Sequence, residues 1–291
     1  MGIVNRTPDS FYDGGRYLAE DSGERAVVRL VEEGADIVDL GAESTRPGSP
    51  PVSAAEQLDR LGGLVAFAAQ RAPMVSVDTT LPEVAEQALR QGADMINSVS
   101  LAPAAELGAL CAAHQARLVL THCRGSMADM SGFSVYADEG YVDVVGEVKR
   151  EWSEAAQAAV DAGLPAESIV FDPGLGFTKN AVQSLELCAR LAEFRALGHD
   201  ILVGTSRKSY IARVVAKELG SPEPAPAERL GGSIAAAVAC AAAGADILRV
   251  HDVAATRQAL AYRAALAAAA PFPTGDEATA HGGSPGGGEG A

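Results

Sequence analysis

The sequence predicts a single-domain α/β protein, a (β/α)8 barrel, on three observations. Eight short apolar runs recur along the chain, each breaking off at a polar residue or glycine and each followed by a helix-like stretch. Eight strand–helix units are the number that closes such a barrel. The turn into three of them repeats: EEGADIVDL (32–40), RQGADMINS (90–98) and AAGADILRV (242–250) each stop a helix at Gly, turn at Asp and start a β-branched run. The length, 291 residues, suits one barrel of about 250 residues plus a tail.

The runs are, in order, GIVN to Asn5, DIVDLG to Gly41, MVSVD to Asp78, DMIN to Asn97, RLVLTH to His122, SIVFD to Asp172, DILVG to Gly204 and DILRVH to His251. Runs such as IVDL and ILVG read as continuously apolar, as parallel strands covered by helices must be. Helices are predicted near 22–33, 54–70, 81–91, 103–114, 139–162, 180–197, 209–219, 226–243 and 254–269. SPEPAP (221–226) lengthens the return from the seventh strand, and an extra helix is expected there. The barrel is expected over 1–269, and 270–291, ending HGGSPGGGEGA, as a disordered tail. Three strand-to-helix connections, 6–20, 42–53 and 123–138, exceed what a barrel needs and read as lids or binding loops.

The net charge of −15 argues against a nucleic-acid partner but leaves an anionic substrate open, because local Arg and Lys can override the global sign. No apolar run reaches the 18 or so residues of a membrane span. MGIVNRTPDSF has neither the basic nor the apolar region of a signal peptide. Cys111, Cys188 and Cys240 sit in apolar helical stretches and read as buried small hydrophobes of a reducing, cytoplasmic setting. Cys123, beside His122, reads as structural or as reactive.

A barrel builds its active site at the C-terminal strand ends, so Asn5, Asp78, Asn97, His122, Asp172, Lys208, Arg249 and His251 should converge on one mouth. Arg46 in ESTRPG, Arg249 and His251 suit a phosphate or pyrophosphate; the alternative for Arg249 is a neighbouring carboxylate. Asp78, Asn97 and Asp172 suit the donor-rich edge of a 2-amino-4-oxo pyrimidine; the alternatives are a metal pair or strand-end capping. With no HxH or HExxH, a dedicated transition-metal site is not expected. In DPGLGFTK (172–179) the glycines let backbone approach a ligand and Phe177 offers an aromatic wall, while GTSRKSY (204–210) carries Lys208 and Ser209 into a helix start.

NRTPDSFYDGG, GAESTRPG, SVDT, MIN, DPGLGF, GTSRKS and RVHDV, in this order from Met1 to about Leu266, closely resemble dihydropteroate synthases, pterin-binding barrel enzymes. The resemblance implies condensation of 6-hydroxymethyl-7,8-dihydropterin pyrophosphate with p-aminobenzoate, giving 7,8-dihydropteroate and pyrophosphate in folate biosynthesis. It implies that Asp78, Asn97, Asp172 and Lys208 hold the pterin. Asn5, Thr45, Arg46, Arg249 and His251 would hold pyrophosphate, with Mg²⁺ near Asn5. Asp13 and Arg46, on loops that close over the site, would act with Lys208 in catalysis, Asp13 stabilising a pterin cation. Thr45, Pro47, Phe177 and Ser209 would shape the p-aminobenzoate pocket, the helix start at Ser209 taking the carboxylate. A cytoplasmic homodimer and sulfonamide sensitivity are implied as well. Resistant relatives carry extra residues after the loop Phe, whereas Phe177 is followed directly by Thr178-Lys179-Asn180.

The chain departs from the family pattern in four places. Arg6 replaces a small apolar residue and should add a cation beside the pyrophosphate site. Ser98 stands where Asp is common and Thr121 where Met is frequent, and the chain opens on the first barrel strand without the usual N-terminal hairpin. Two other functions compete: a catalytically silent pterin-binding paralogue, and a methyltetrahydrofolate-dependent methyltransferase on the same barrel.

Overall fold

Each of the eight runs forms a strand. A computed structural model describes residues 1–6, 20–43, 51–125, 132, 134, 136 and 140–269. The strands are β1 (Gly2–Asn5), β2 (Val38–Gly41), β3 (Val75–Asp78), β4 (Met95–Ser98), β5 (Arg117–Thr121), β6 (Ile169–Asp172), β7 (Asp200–Gly204) and β8 (Ile247–Arg249). They pair in parallel in chain order. The first strand meets the last through a parallel bridge from Gly2 to Val250, with Ile3 N–H donating to Val250 O at 3.1 Å and Val250 N–H to Met1 O at 2.9 Å.

The helices are α1 (Glu20–Glu32), α2 (Ala54–Leu61), α3 (Leu64–Ala69), α4 (Pro82–Arg90), α5 (Ala104–His114), α6 (Val144–Asp161), α7 (Ala181–Ala189), α8 (Ser209–Leu219), α9 (Leu230–Ala242) and α10 (Val253–Ala269). The helix expected over 54–70 is two, α2 and α3, because Gly62 takes φ 49° and Gly63 has no side chain to hold the axis. That expected over 180–197 ends as α7 at Ala189, and Leu191–Leu197 tightens into a 3-10 helix. The long return from β7 carries two helices, α8 and α9, as expected. The tail falls outside the described residues.

The repeated turn has a physical basis. Gly34, Gly92 and Gly244 take φ of 83°, 98° and 101°, and the next N–H closes each helix by bonding five residues back: Ala35 to Leu30 O, Ala93 to Ala88 O, Ala245 to Cys240 O. In two copies the Asp then accepts an N–H from the start of a neighbouring strand, Asp94 from Val75 and Asp246 from Ile201, each at 2.8 Å. One tripeptide thus ends a helix and aligns a strand.

Strand alternation sorts the side chains. Outward residues such as Val38, Leu40, Val75, Val77, Leu118, Leu120 and Phe171 pack under the helices as the main core. Trp152 of α6 donates Nε1–H to Leu120 O at 2.8 Å and meets Phe171 edge-on at 5.1 Å, seating α6 over β5 and β6. Inward residues at the closed end, Met1, Ile37, Met74, Met95, Val119, Val170, Leu202 and Ile247, form a separate apolar plug. The open end is polar, as a barrel's catalytic face should be. Cys111 and Cys240 are fully buried, Cys188 is half-buried, and Cys123 packs with Val99 and Phe177, so the structural reading of all four holds.

Candidate active site

Register places the site. Asn5, Gly41, Asp78 and Asn97 are successive partners on β1 to β4, so they lie at one level. Thr121 pairs with Asp172, and Gly204 with Arg249. The inward residues at the mouth are these eight. Gly41 leaves close room there, since a Cβ would come within 3.2 Å of Asn5 Oδ1.

Arg249 is the centre of charge. Its Nε donates to Asp39 Oδ2 at 2.7 Å and its Nη2 to Asp78 Oδ2 at 2.8 Å. The neighbouring-carboxylate alternative for Arg249 therefore holds in this structure, leaving part of the guanidinium for an anion. Asp39 was hidden inside a run read as apolar. The clue was available: a carboxylate inside a strand covered on both sides must have a buried partner. Asn97 Nδ2 donates to the same Asp39 Oδ2 at 3.3 Å, while Asp39 Oδ1 and Asn97 Oδ1, both buried, have no hydrogen-bond partner among the described residues.

Across the mouth, Asp172 Oδ1 accepts the N–H of Gly174 at 2.8 Å and its Oδ2 accepts the hydroxyl of Thr121 at 3.3 Å. Thr121, registered above only as a departure, thus serves the site. Lys208 Nζ donates to Leu175 O at 2.7 Å and sits 4.6 Å from the centre of the Phe177 ring. Burial pushes Asp78 up to about 7 against the pull of Arg249, and raises Asp172 against the pull of Lys208. Burial also pushes Lys208 down to about 8, with Asp172 opposing.

Ser209 opens α8 as expected, and its Oγ donates to Ser134 Oγ at 3.2 Å, so two hydroxyls lie together at the helix start. His251 is exposed. Ser206 Oγ accepts its backbone N–H at 3.2 Å and lies 3.0 Å from Nδ1; in the tautomer whose Nδ1 accepts the Ser206 hydroxyl, Nε2 carries the ring proton and is a donor. Arg207 pairs with Asp252 at 2.7 Å, tying the β7 and β8 ends together.

Two expectations are corrected. His122 is not on the rim: one position past inward Thr121, it faces outward and is fully buried, its Nε2 3.0 Å from Glu151 Oε2 of α6. Arg6 adds no cation at the mouth, because it likewise follows inward Asn5 and leaves the barrel; its guanidinium lies by Gly23 of α1, in a surface hollow with Glu24, Asp59 and Leu64. Ser98 turns its hydroxyl to its own loop, donating to Ser100 O at 2.7 Å. Asp13, Thr45, Arg46 and Pro47 lie outside the described residues.

Acceptors of β2 and β4 left unsatisfied among the described residues thus share the mouth with Arg249 of β8 and with Lys208 just beyond β7. The model of the family described as "Pterin binding enzyme" matches residues 1–251. The chain belongs to this family. The dihydropteroate synthase of Synechocystis sp. is 40% identical over 260 residues, covering 89% of this chain and 86% of its own. Among solved structures, Xanthomonas albilineans dihydropteroate synthase with 4-aminobenzoic acid superposes with a TM-score of 0.80 at 38% identity, covering 92% of each chain. Yersinia pestis dihydropteroate synthase with a sulfonamide drug gives 0.80 at 34% identity, over 92% of this chain and 93% of that one.

Proposed function

We infer that the chain is a dihydropteroate synthase, joining 6-hydroxymethyl-7,8-dihydropterin pyrophosphate to p-aminobenzoate in folate biosynthesis. The observation that carries the substrate is the pair of buried acceptors without partners among the described residues, Asp39 Oδ1 and Asn97 Oδ1, beside Asp78 and Asp172. Such atoms cost about 1–3 kcal/mol each when unmet, and the N–H groups of a 2-amino-4-oxo pyrimidine edge would meet them. Asp78, Asn97 and Asp172 read that edge, and Lys208 meets its carbonyl side.

Pyrophosphate takes the open side of Arg249, the Nε2–H of His251 and the Asn5 amide, with Thr45 and Arg46 closing from their loop. Mg²⁺ fits Asn5: the side chain is half-buried over Gly41 with its amide unpaired among the described residues, and Mg²⁺ commonly takes few protein oxygens beside phosphate oxygens and water. Bound there, Mg²⁺ would add positive charge against the leaving group. The bond from the pterin methylene to pyrophosphate breaks with its electron pair leaving on oxygen. Arg249 and His251 stabilise the departing anion, and Asp13 stabilises the methylene cation. The amine of p-aminobenzoate, between Phe177, Thr45 and Pro47 with its carboxylate at Ser209, forms the new C–N bond and loses one proton.

A homodimer in the cytoplasm completes the reading. Exposed Val182 and Leu185 of α7 and Leu219 of α8 support it by offering apolar surface for a second copy; no described helix is long and apolar enough to cross a membrane. Pyrophosphate release from both substrates with Mg²⁺ tests the function. Turnover is expected; tight pterin binding without turnover would make the chain a silent paralogue.

A further inference from the structure

Lys179 is a residue of the DPGLGFTK loop that the reaction leaves unused, and it is fully buried. Its Nζ donates to the carbonyls of His122 at 3.1 Å, Gly174 at 3.2 Å and Phe177 at 3.1 Å, and lies 3.0 Å from His122 Nδ1. Two of these carbonyls belong to the loop after β6 and the third to the end of β5. The ammonium is therefore a single point at which the loop is fastened to the neighbouring strand. The same loop presents the Phe177 ring and the Leu175 carbonyl that receives Lys208.

A chain of polar contacts compensates the buried charge. Burial pushes His122 down to about 4, so the imidazole is neutral, donating Nε2–H to Glu151 and turning its Nδ1 lone pair to Lys179, whose three N–H groups are shared among this nitrogen and the three carbonyls. Glu151 is held well below the usual carboxylate range by His122 and by Arg124, whose Nε donates to it at 2.9 Å. Burial pushes Lys179 itself down to about 7, with the Asp172 carboxylate among the groups that oppose the shift. Tyr141, 5.9 Å from Nζ, closes the remaining side. A lysine desolvated this completely persists only where its partners are fixed, so the fixed partners are its function.

We propose that Lys179 is a positioning residue for the arylamine subsite: by holding the Gly174 and Phe177 carbonyls against the end of β5, it sets the place of the Phe177 ring. The proposal rests on the reading of Phe177 as a wall of the p-aminobenzoate pocket. A double-mutant cycle on the full chain separates the two ideas, with KM for each substrate, kcat and thermal melting measured for Lys179→Met, Phe177→Ala and the double variant. Each single change is expected to raise KM for p-aminobenzoate roughly ten-fold, the range over which an apolar pocket discriminates, with KM for pterin pyrophosphate moved far less. The double variant should match Phe177→Ala alone, because Lys179 has nothing left to position. If the two factors multiply, or if folded Lys179→Met keeps the wild-type KM and only melts earlier, Lys179 is merely structural and the proposal fails. If Phe177→Ala itself leaves KM unchanged, the pocket assignment fails and takes the proposal with it. Should Lys179→Met not fold, Lys179→Gln, which keeps two N–H donors without a buried charge, is read by the same cycle.

Discussion

Asp172 touches Thr121, Gly174 and the open mouth through two oxygens. An amide in its place can keep its oxygen for the Gly174 N–H while the Thr121 hydroxyl turns to accept its N–H, but it cannot accept from the pyrimidine N–H groups, leaving pairs to the substrate unmet at about 1–3 kcal/mol each. Asp172→Asn should therefore abolish turnover while melting near the wild-type temperature; normal turnover in that variant would remove Asp172 from the site. Asp78 gives a second expectation. Its carboxyl rises from 3.8 to about 7 on burial, so the folded chain binds more protons between those values. Its stabilising share is complete below the lower value and is lost as pH rises through the upper one. Asp78→Asn has no such loss, so its melting temperature relative to wild type should climb from pH 4 to 7.5. His122, depressed to about 4, tilts both proteins alike and cancels in the difference; a falling difference would refute the assignment. At this scale the sequence was legible where a polar residue ended an apolar run. It misled at His122, where alternation decides the side, and at Asp39, whose partner Arg249 is 210 residues away.

Elements owe their boundaries to backbone geometry. Gly174 takes φ 66°, and a Cβ on it would meet His122 O at 2.0 Å. Gly174→Ala should cost roughly 2–4 kcal/mol by urea unfolding, from a forbidden dihedral plus a backbone clash; a loss under half a kcal/mol would show that the contact relaxes freely. The loop's length carries another prediction. Phe177 runs straight into Thr178, with no insertion to narrow the pocket against a sulfonyl group. Sulfamethoxazole should compete with p-aminobenzoate, and an inhibition constant far above the p-aminobenzoate KM would refute that. Strands and most helices were readable from period and turn residues, because those signals are local. The splits at Gly62–Gly63 and Arg190 were not, because apolar spacing runs on across both while the chain bends around the barrel.

At the scale of the molecule, the eightfold count made the barrel legible, since eight units leave few other closed solutions. The mouth's shape was less so, with Asp13, Thr45 and Pro47 assigned by resemblance alone and Arg46 read only as a guanidinium suited to an anion. Removing β8 and α10 should expose the β1 edge and leave Asp39 and Asp78 without their cation. A chain ending at Ala245 is expected to show no cooperative melting and no pterin binding; tight binding by that fragment would contradict it. The Arg249–Asp39 bond has a consequence for the protein while it is being made. Synthesis runs from the N-terminus, so Asp39, Asp78 and Asp172 all leave the ribosome before Arg249, the partner of the first two. Until then the half-built mouth is a cluster of like charges with every reason to stay wet. Pterin cannot chaperone the growing chain, because ligand stabilises only a species that binds it. Folding of the second half must therefore finish unaided, and only the completed ring responds to substrate.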